Sequence, residues 1–413
     1  MFIEKTLGRL CELGKGKIQT GPFGSQLHQA DYSEEGTPVV MPADIIDGKI
    51  SEAKIARVSE DHVMRLERHQ LAIGDIVYGR RGDIGRQALI TSKEEGWLCG
   101  TGCLRVTVGK KSPIDPEYLH LYLKMPDVIS YIQNQAIGAT MPNLNTEILK
   151  RIPIRYPEKI ADQKKVIAVL KAYFDLIENN KKRIQILENM AEELYKEWFV
   201  RFRFPNWENT EFEKGLPVGW KNVRFDSFCK FKKGKNPEEI LNSPDDAVMY
   251  INMESLTGEG TSYARKQKNS VECSIGDLLM LMDGSRSGLV FRANNMGIVG
   301  STLSIIEVNN KFKNYVFEYL KAMKTSIVSN NTGSAIPHAN KDYINRMLVC
   351  IPDNLIISKF NEIYDSQYLL IKNLQQQIKW LEQTKTALLP RLISGKLSVE
   401  NLDIQFPPSM QEQ

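Results

Sequence analysis

With 413 residues, 42% of them hydrophobic and 25% charged, the chain is too long for one ordinary core and too balanced for a disordered or fibrous protein. A net charge of +4 excludes a uniformly basic nucleic-acid coat. Residues 1–157 hold 20 Lys+Arg against 19 Asp+Glu, so any nucleic-acid contact must rest on local charge. No apolar run approaches the roughly 18 residues of a membrane span, and MFIEKTLGRL lacks the apolar centre of a signal peptide, so a cytoplasmic location is expected.

In chain order, the first distinctive stretch is KGKIQTGPFGSQLH at 15–28, a basic segment turning on Gly-Pro. GDIVYGRRGDIGR at 74–86 reads as a short apolar strand running into an Arg- and Gly-rich loop, and GTGCLRVTV at 100–108 as a second strand. DPEYLHLYLKM at 115–125 is an aromatic-rich amphipathic helix, followed by the turn GATMPNLN at 138–145 and the strand RIPIRYPE at 151–158. A long helix then begins, with a seam at Ile167, Leu170, Phe174, Ile177, Lys181, Ile184, Leu187, Ala191, Leu194 and Trp198 that contains one three-residue step out of phase.

After RFRFPNWENTEFEKGLPVGW at 201–220 the series starts again. GDLLMLMDGSRSG at 276–288, GSTLSIIEV at 300–308, KNYVFEYLKAM at 313–323, GSAIPHAN at 333–340 and MLVCIPDN at 347–354 repeat the earlier elements in order. A second long helix follows, with seam positions at 357, 360, 364, 367, 371, 374, 378, 381, 385, 388 and 392. Each helix spans about 40 residues, or roughly 60 Å. Neither can bury its seam alone, and pairing the two antiparallel is the simplest solution. The fold class expected is α/β (α+β): two pseudo-repeated modules separated by two long helices in an antiparallel coiled coil. The boundaries expected are 1–155 for the first module, 156–205 for the first spacer, 206–352 for the second module, 353–397 for the second spacer and 398–413 for a tail.

Enzymatic machinery is hard to find in this pattern. There is no phosphate-binding GxxxxGK[ST], no HExxH, no GxSxG, and neither the Gly-rich cofactor loop nor the Asn/Asp-Pro-Pro-aromatic motif of an adenine methyltransferase. PEKIADQKK at 157–165 starts a helix, where acidic residues complement the dipole. The six cysteines form no CxxC pair and are expected to be buried thiols, with no metal site.

Recognition fits better, since two similar modules suit a ligand with two similar faces, and duplex DNA is such a ligand. Arg80, Arg81 and Arg86 fall within seven residues, among glycines that allow close approach; arginine is the usual bidentate partner of guanine and also clamps phosphates. Lys15, Lys17, Gln19, Ser25, Gln26 and His28 form a second group, in which glutamine can read adenine through two hydrogen bonds. Thr140 and Asn143 join them from the turn. The second module offers Lys232, Lys233, Lys235, Ser285, Arg286, His338 and Asn340. The alternative for such loops is a solvated turn. For the repeated turn it is module closure, with Pro142 and Pro337 fixing the backbone and Asn145 and Asn340 capping.

Taken in order, GKIQTGPFGSQL, GTPVVMPADI, GDIVYGRRGDIGR, GWLCGTGCLRV, LYKEWFVRFRFP, LPVGW and LLPRLISGKL resemble the specificity subunit of type I restriction-modification systems along essentially the whole chain. The resemblance implies two target-recognition domains, each reading one half of a bipartite DNA site, and helical regions that set the unspecified gap. It also implies a subunit with no catalytic activity and no cofactor of its own. Two methylation subunits would bring S-adenosylmethionine, and restriction subunits would bring ATP- and Mg2+-dependent translocation and cleavage. Two departures stand out. The family's acidic-Gln pair at the first helix start is Asp162-Gln163, whereas the second copy has Asp353-Asn354; and the second module has no GPFGSQ counterpart. The competing class is a coiled-coil scaffold without sequence-specific DNA contact. A self-contained restriction-methylation enzyme is disfavoured because no catalytic segment is fused.

Overall fold

The computed structural model describes residues 1–24, 26–80, 84–135, 143–333, 336–406 and 410. It divides into two compact units, one of residues 1–179 with 377–413 and one of residues 180–376. Each unit thus combines a repeated module with part of both long helices.

In the first unit the elements are β1 (Phe2–Thr6), α1 (Leu7–Gly14), β2 (Lys17–Thr20), β3 (Tyr32–Ser33), β4 (Thr37–Val40), β5 (Ala56–Val58), β6 (Ile76–Gly79), β7 (Gln87–Leu89), β8 (Leu98–Cys99), β9 (Cys103–Thr107), α2 (Pro116–Leu123), α3 (Thr146–Arg151), β10 (Pro153–Pro157) and the start of α4 (Ile160–Tyr195). The central sheet has the order β2-β9-β6-β7, all antiparallel. A second sheet runs β8-β4-β5-β3, with β8 parallel to β4, and β1 pairs antiparallel with β10.

The inner strand β6 is buried on both faces, which is why IVYG reads as an unbroken run with no charged residue. In β6, Ile76 and Tyr78 join one core with Leu104 and Val106 of β9, Tyr118 of α2 and Val166, Ile167 and Leu170 of α4. Val77 points the other way, into a core with Val40, Ile90, Cys99 and Cys103. The first core is completed by Leu392, Ile393 and Val399 from the far end of the chain.

The second unit repeats this plan with β11 (Lys221–Arg224), β12 (Lys230–Lys233), β13 (Val248–Ile251), β14 (Ser262–Ala264), β15 (Glu272–Cys273), β16 (Leu278–Leu281), β17 (Val290–Arg292), β18 (Gly297–Val299), β19 (Leu303–Glu307), α5 (Lys313–Ala322), α6 (Lys341–Arg346), β20 (Leu348–Ile351) and the start of α7 (Asn354–Ile393). The central sheet is β12-β19-β16-β17, the second sheet β14-β13-β18-β15, and β11 pairs with β20. Leu278 and Met280 face one core, Leu279 and Leu281 the other. Even the edges correspond. The bridge Gln70 to Leu98 stands where β15 meets β18, and the bridge Leu241 to Tyr263 stands where β3 meets β5.

Antiparallel helix pairing is visible inside each unit. In the first, the opening turns of α4 share a core with the closing turns of α7; in the second, Ala191, Tyr195, Trp198 and Phe199 share one with Ile356, Ile357, Phe360 and Tyr364. A π-helical turn at Lys196–Val200 follows α4, and within it Trp198 and Phe199 are buried. Every anticipated seam position of the second helix is buried or half-buried. In the first helix the seam passes through buried Asn180, and Lys181 is exposed, which moves the out-of-phase three-residue step from 184–187 back to 177–180.

Gln163 accounts for the first departure noted in the sequence. Fully buried, it accepts from the Asp115 N–H at 2.8 Å and donates to the carbonyls of Pro113 and Pro157 at 2.9 and 2.8 Å. At the start of α7, Asp353 instead accepts from the N–H groups of Leu355 and Ile356, a cap on the helix itself, and the Asn354 side chain accepts from Lys311 Nζ.

Phe199 stands edge-on to Tyr315 and Phe360, with ring centroids 4.8 and 4.9 Å apart. Phe360→Ala removes a fully buried ring from this cluster and should destabilise the second unit by about 3–5 kcal/mol. The check is a lowered urea midpoint for the transition that reports the second unit, with the first unit's transition unmoved.

Candidate nucleic-acid interface

Three segments converge where β2 and β6 end and β9 begins. Gly21 N–H donates to the Cys103 carbonyl (2.9 Å), Arg80 N–H to Gly102 (2.8 Å) and Leu144 N–H to Arg80 (3.0 Å). The second unit repeats all three bonds: Gly234 to Leu303 (2.9 Å), Met282 to Thr302 (2.7 Å) and Ala339 to Met282 (2.7 Å). These bonds pair Gly21 with Gly234, Arg80 with Met282, Asn143 with His338, and Asn145 with Asn340. Both leading glycines are dictated by space, since a Cβ would lie 2.0 Å from the Gly100 carbonyl oxygen or 2.2 Å from that of Gly300.

Arg80 and Asn143 meet at the tip of the first unit, and Gln26 and His28 lie on the loop that follows β2. Arg80 Nε donates to Asn143 Oδ1 at 3.0 Å. Gln26 is half-buried, and His28 is exposed with its backbone N–H donating to Asp31 Oδ2 at 2.8 Å. Arg86 lies exposed beside the start of β7, and its carbonyl accepts from Gly79 N–H. Ser25, Arg81 and Thr140 lie outside the described residues.

In the second unit, Lys233, Lys235, Ser285 and Arg286 are exposed at the matching end, with Lys232 one residue back along β12. Where the first tip has Arg80 with Asn143, the second has His338 Nδ1 against Asp283 Oδ1 at 2.7 Å. Asn340 spends its Oδ1 capping α6 through Tyr343 N–H (3.0 Å), as Asn145 caps α3 through Ile148 N–H (2.9 Å).

The sequence grouped Lys15 and Lys17 with the Gly21–His28 loop, and the structure separates them. Lys15 closes α1 at φ +60°, and Lys17 pairs with Thr107 at the opposite end of β2, because the intervening residues form a strand and not a loop. The strand register also pairs Gln19 with Lys232, since they face Arg105 and Ile305 respectively.

Arg105 is the group that motif reading missed. Its signal is an ionisable residue inside an otherwise apolar strand. Its side chain is 8% exposed, and it donates to the carbonyls of Gln70 and Arg68, the latter at 3.1 Å, with Asp75 3.7 Å away. Burial raises the pKa of Asp75, opposed by hydrogen bonds from Thr107 and the Ala72 N–H and by the Arg105 charge. Neighbouring His69 is depressed to about 4, first by burial and then by Arg68, Arg105 and Lys17. His120, beneath the same sheet, is depressed to about 3 by burial and Lys124.

Among the described residues no cluster of three or more His, Cys, Asp or Glu could hold a metal ion, and no helix is long and apolar enough to cross a membrane. The cysteines are free thiols, all buried except half-buried Cys350.

Fold and tips together define a protein of two homologous recognition modules carried on paired helices. The family model for the type I restriction modification DNA specificity domain matches residues 3–189 and again 217–380. The chain belongs to that family and is a specificity subunit with two target-recognition domains. It is 28% identical over 312 residues to the type I restriction enzyme MjaIX specificity subunit of Methanocaldococcus jannaschii, covering 71% of each chain. It is 27% identical over 204 residues to the MjaVIII specificity subunit of the same organism, covering 47% of each. The crystal structure of the S subunit of a type I system from M. genitalium superposes with a TM-score of 0.56 at 15% identity over 95% of each chain, a likeness of fold.

Both depressed histidines are held neutral in the folded state, while the unfolded chain takes up protons near the ordinary value of 6.5. Their contribution is therefore complete above pH 6.5 and declines as pH falls toward about 4 for His69 and about 3 for His120. Unfolding of the first unit followed at pH 7.5 and pH 5 should show lower stability at pH 5. His120→Phe, which installs the residue type found at the equivalent Phe317, should make that decline shallower.

Proposed function

We propose that each tip reads one half of a bipartite, asymmetric DNA site, and that this chain supplies sequence recognition to a complex whose chemistry resides on other subunits. The supporting observation is the tip itself: one hydrogen-bonded frame built twice, presenting Arg80, Asn143, Gln26 and His28 in one copy and Lys233, Lys235, Arg286 and His338 in the other. A conserved frame with different side chains is what two readers of different sequences require.

On this reading the chain is not an enzyme. The paired helices set the gap between half-sites and dock two methylation subunits, and restriction subunits join the same complex. S-adenosylmethionine, ATP and Mg2+ are bound by those partners. Exposed lysines and arginines at the tips contact phosphates, so affinity falls steeply with salt.

The direct test is mapping adenine methylation in cells that carry the chain with its methylation partner, compared with cells that lack the chain. A bipartite motif should appear only in the first case, and its absence from both would refute the reading. Arg80→Ala should weaken binding by about 1–3 kcal/mol through the first half-site alone, measured by competition between duplexes altered in one half. Loss of discrimination in both halves would show that the two tips do not act independently. Inserting four residues near position 180 adds about 6 Å of helix, so the motif's gap should lengthen by roughly one to two base pairs. An unchanged gap would mean that the helices do not set it.

A further inference from the structure

β2 and the loop after it carry the two glutamines that the sequence offers as adenine readers, Gln19 on the strand and Gln26 on the loop, and both are engaged by one residue, Arg68. Donor and acceptor chemistry fixes how. A guanidinium only donates, so the Gln26 atom 3.3 Å from Arg68 Nη2 must be its oxygen, Oε1. A backbone carbonyl only accepts, so Gln19 faces the Arg68 carbonyl with Nε2, at 2.7 Å. Gln26 Oε1 also accepts from the Phe23 N–H at 3.2 Å, which occupies both of its lone pairs.

The rest of the loop holds this arrangement. Gln26 N–H and Leu27 N–H both donate to the Phe23 carbonyl, and Leu27 is buried. Arg65 Nη2 donates to the Gln26 carbonyl at 3.0 Å. Arg68 is itself fixed from below: Arg105 grips its carbonyl, and its Nε donates to His69 Nε2 at 3.0 Å, which requires that imidazole to be neutral.

A glutamine reads adenine with both amide atoms, accepting from N6 and donating to N7. Gln26 cannot do so while Arg68 and Phe23 occupy its oxygen. Among the described residues its Nε2 has no hydrogen-bond partner, so what the loop offers is a donor. We propose that Arg68 is the positioning residue of the first reading loop, locking Gln26 as a donor-only group that selects a base edge bearing an acceptor: guanine O6 or N7, thymine O4, or adenine N7. This rests on the DNA-reading role assigned above. Cytosine, which presents an amino donor in the major groove, is the base it rejects most strongly.

The second unit lacks the device. Strand pairing sets Glu272 opposite Ile298 as Gln70 is set opposite Leu98, so Ser270 occupies the place of Arg68, and Ile305 that of Arg105. There the loop is held by Asn236, whose Oδ1 accepts from Tyr250 OH and from Ser301 N–H, both at 3.0 Å. The effect of Arg68 is therefore confined to one half-site.

The test uses the full chain with its methylation partner and maps the methylated motif for wild type, Arg68→Ala, Gln26→Ala, Gln26→Glu and the Arg68→Ala/Gln26→Ala pair. Arg68→Ala should relax the preference at one base position of the first half by about tenfold or more, with the second half and the gap unchanged. The double variant should match Gln26→Ala, because Arg68 acts through Gln26. Gln26→Glu keeps an oxygen for Arg68 and removes the donors, so it should fold normally and lose the same preference. A uniform loss of methylation with the motif intact would make Arg68 merely structural and overturn the proposal, as would an unaltered motif in both Arg68→Ala and Gln26→Glu. A wild-type profile with no bipartite motif would instead overturn the DNA-reading assignment itself.

Discussion

Each module's core is closed by a helix end that arrives from elsewhere in the chain, and the rest of the structure depends on that closure. Tyr118 donates its hydroxyl to the Ile393 carbonyl at 3.2 Å, across 275 residues, while Leu392, Ile393 and Val399 fill the core beneath the first central sheet. In the second unit Tyr315 meets Tyr195 and Phe199 in the corresponding place. A module cut free at its sequence boundaries would expose these apolar faces, at roughly 25 cal/mol for each Å² returned to water. The helices are therefore part of what folds each reading head, and they are also the elements that pair with each other.

That closure leaves the tips free to vary. The three backbone bonds at each tip use only N–H and carbonyl groups, so no side chain is needed to make the frame, apart from the glycines that the close approach demands. Side chains can then change without disturbing the sheet. Arg80 becomes Met282, Asn143 becomes His338 and Gln19 becomes Lys232, while Asn145 and Asn340 keep the same capping bond because that bond belongs to the frame.

The repeat, the antiparallel helix pairing and the two Asn caps were legible because each depends on local pattern: Gly-Asp before an apolar strand, Asn before a short helix, apolar residues alternately three and four apart. The grouping of Lys15 and Lys17 with the reading loop failed because proximity in sequence is not proximity in space once a strand intervenes, and four residues of β2 carry the chain to the other end of the sheet. Gln26 was found as a candidate, but its chemical sense was not. Its partner Arg68 lies 42 residues away and belongs to no motif, and only the fold brings them together.

The two units also show why the charged network under the first loop exists. Burying Arg105 beside Asp75 costs desolvation that a pair at 3.7 Å recovers poorly, and an apolar residue would serve the strand as well or better. The second unit demonstrates it: Ile305 fills the equivalent position, and the sheet keeps the same order and register. Stability of the frame therefore does not account for Arg105. What Arg105 does that isoleucine cannot is hold the carbonyls of Arg68 and Gln70, which sets the guanidinium of Arg68 against Gln26. The ionic network ties one loop to the sheet beneath it, and conformational definition is what the proposed role of Gln26 requires of buried polarity.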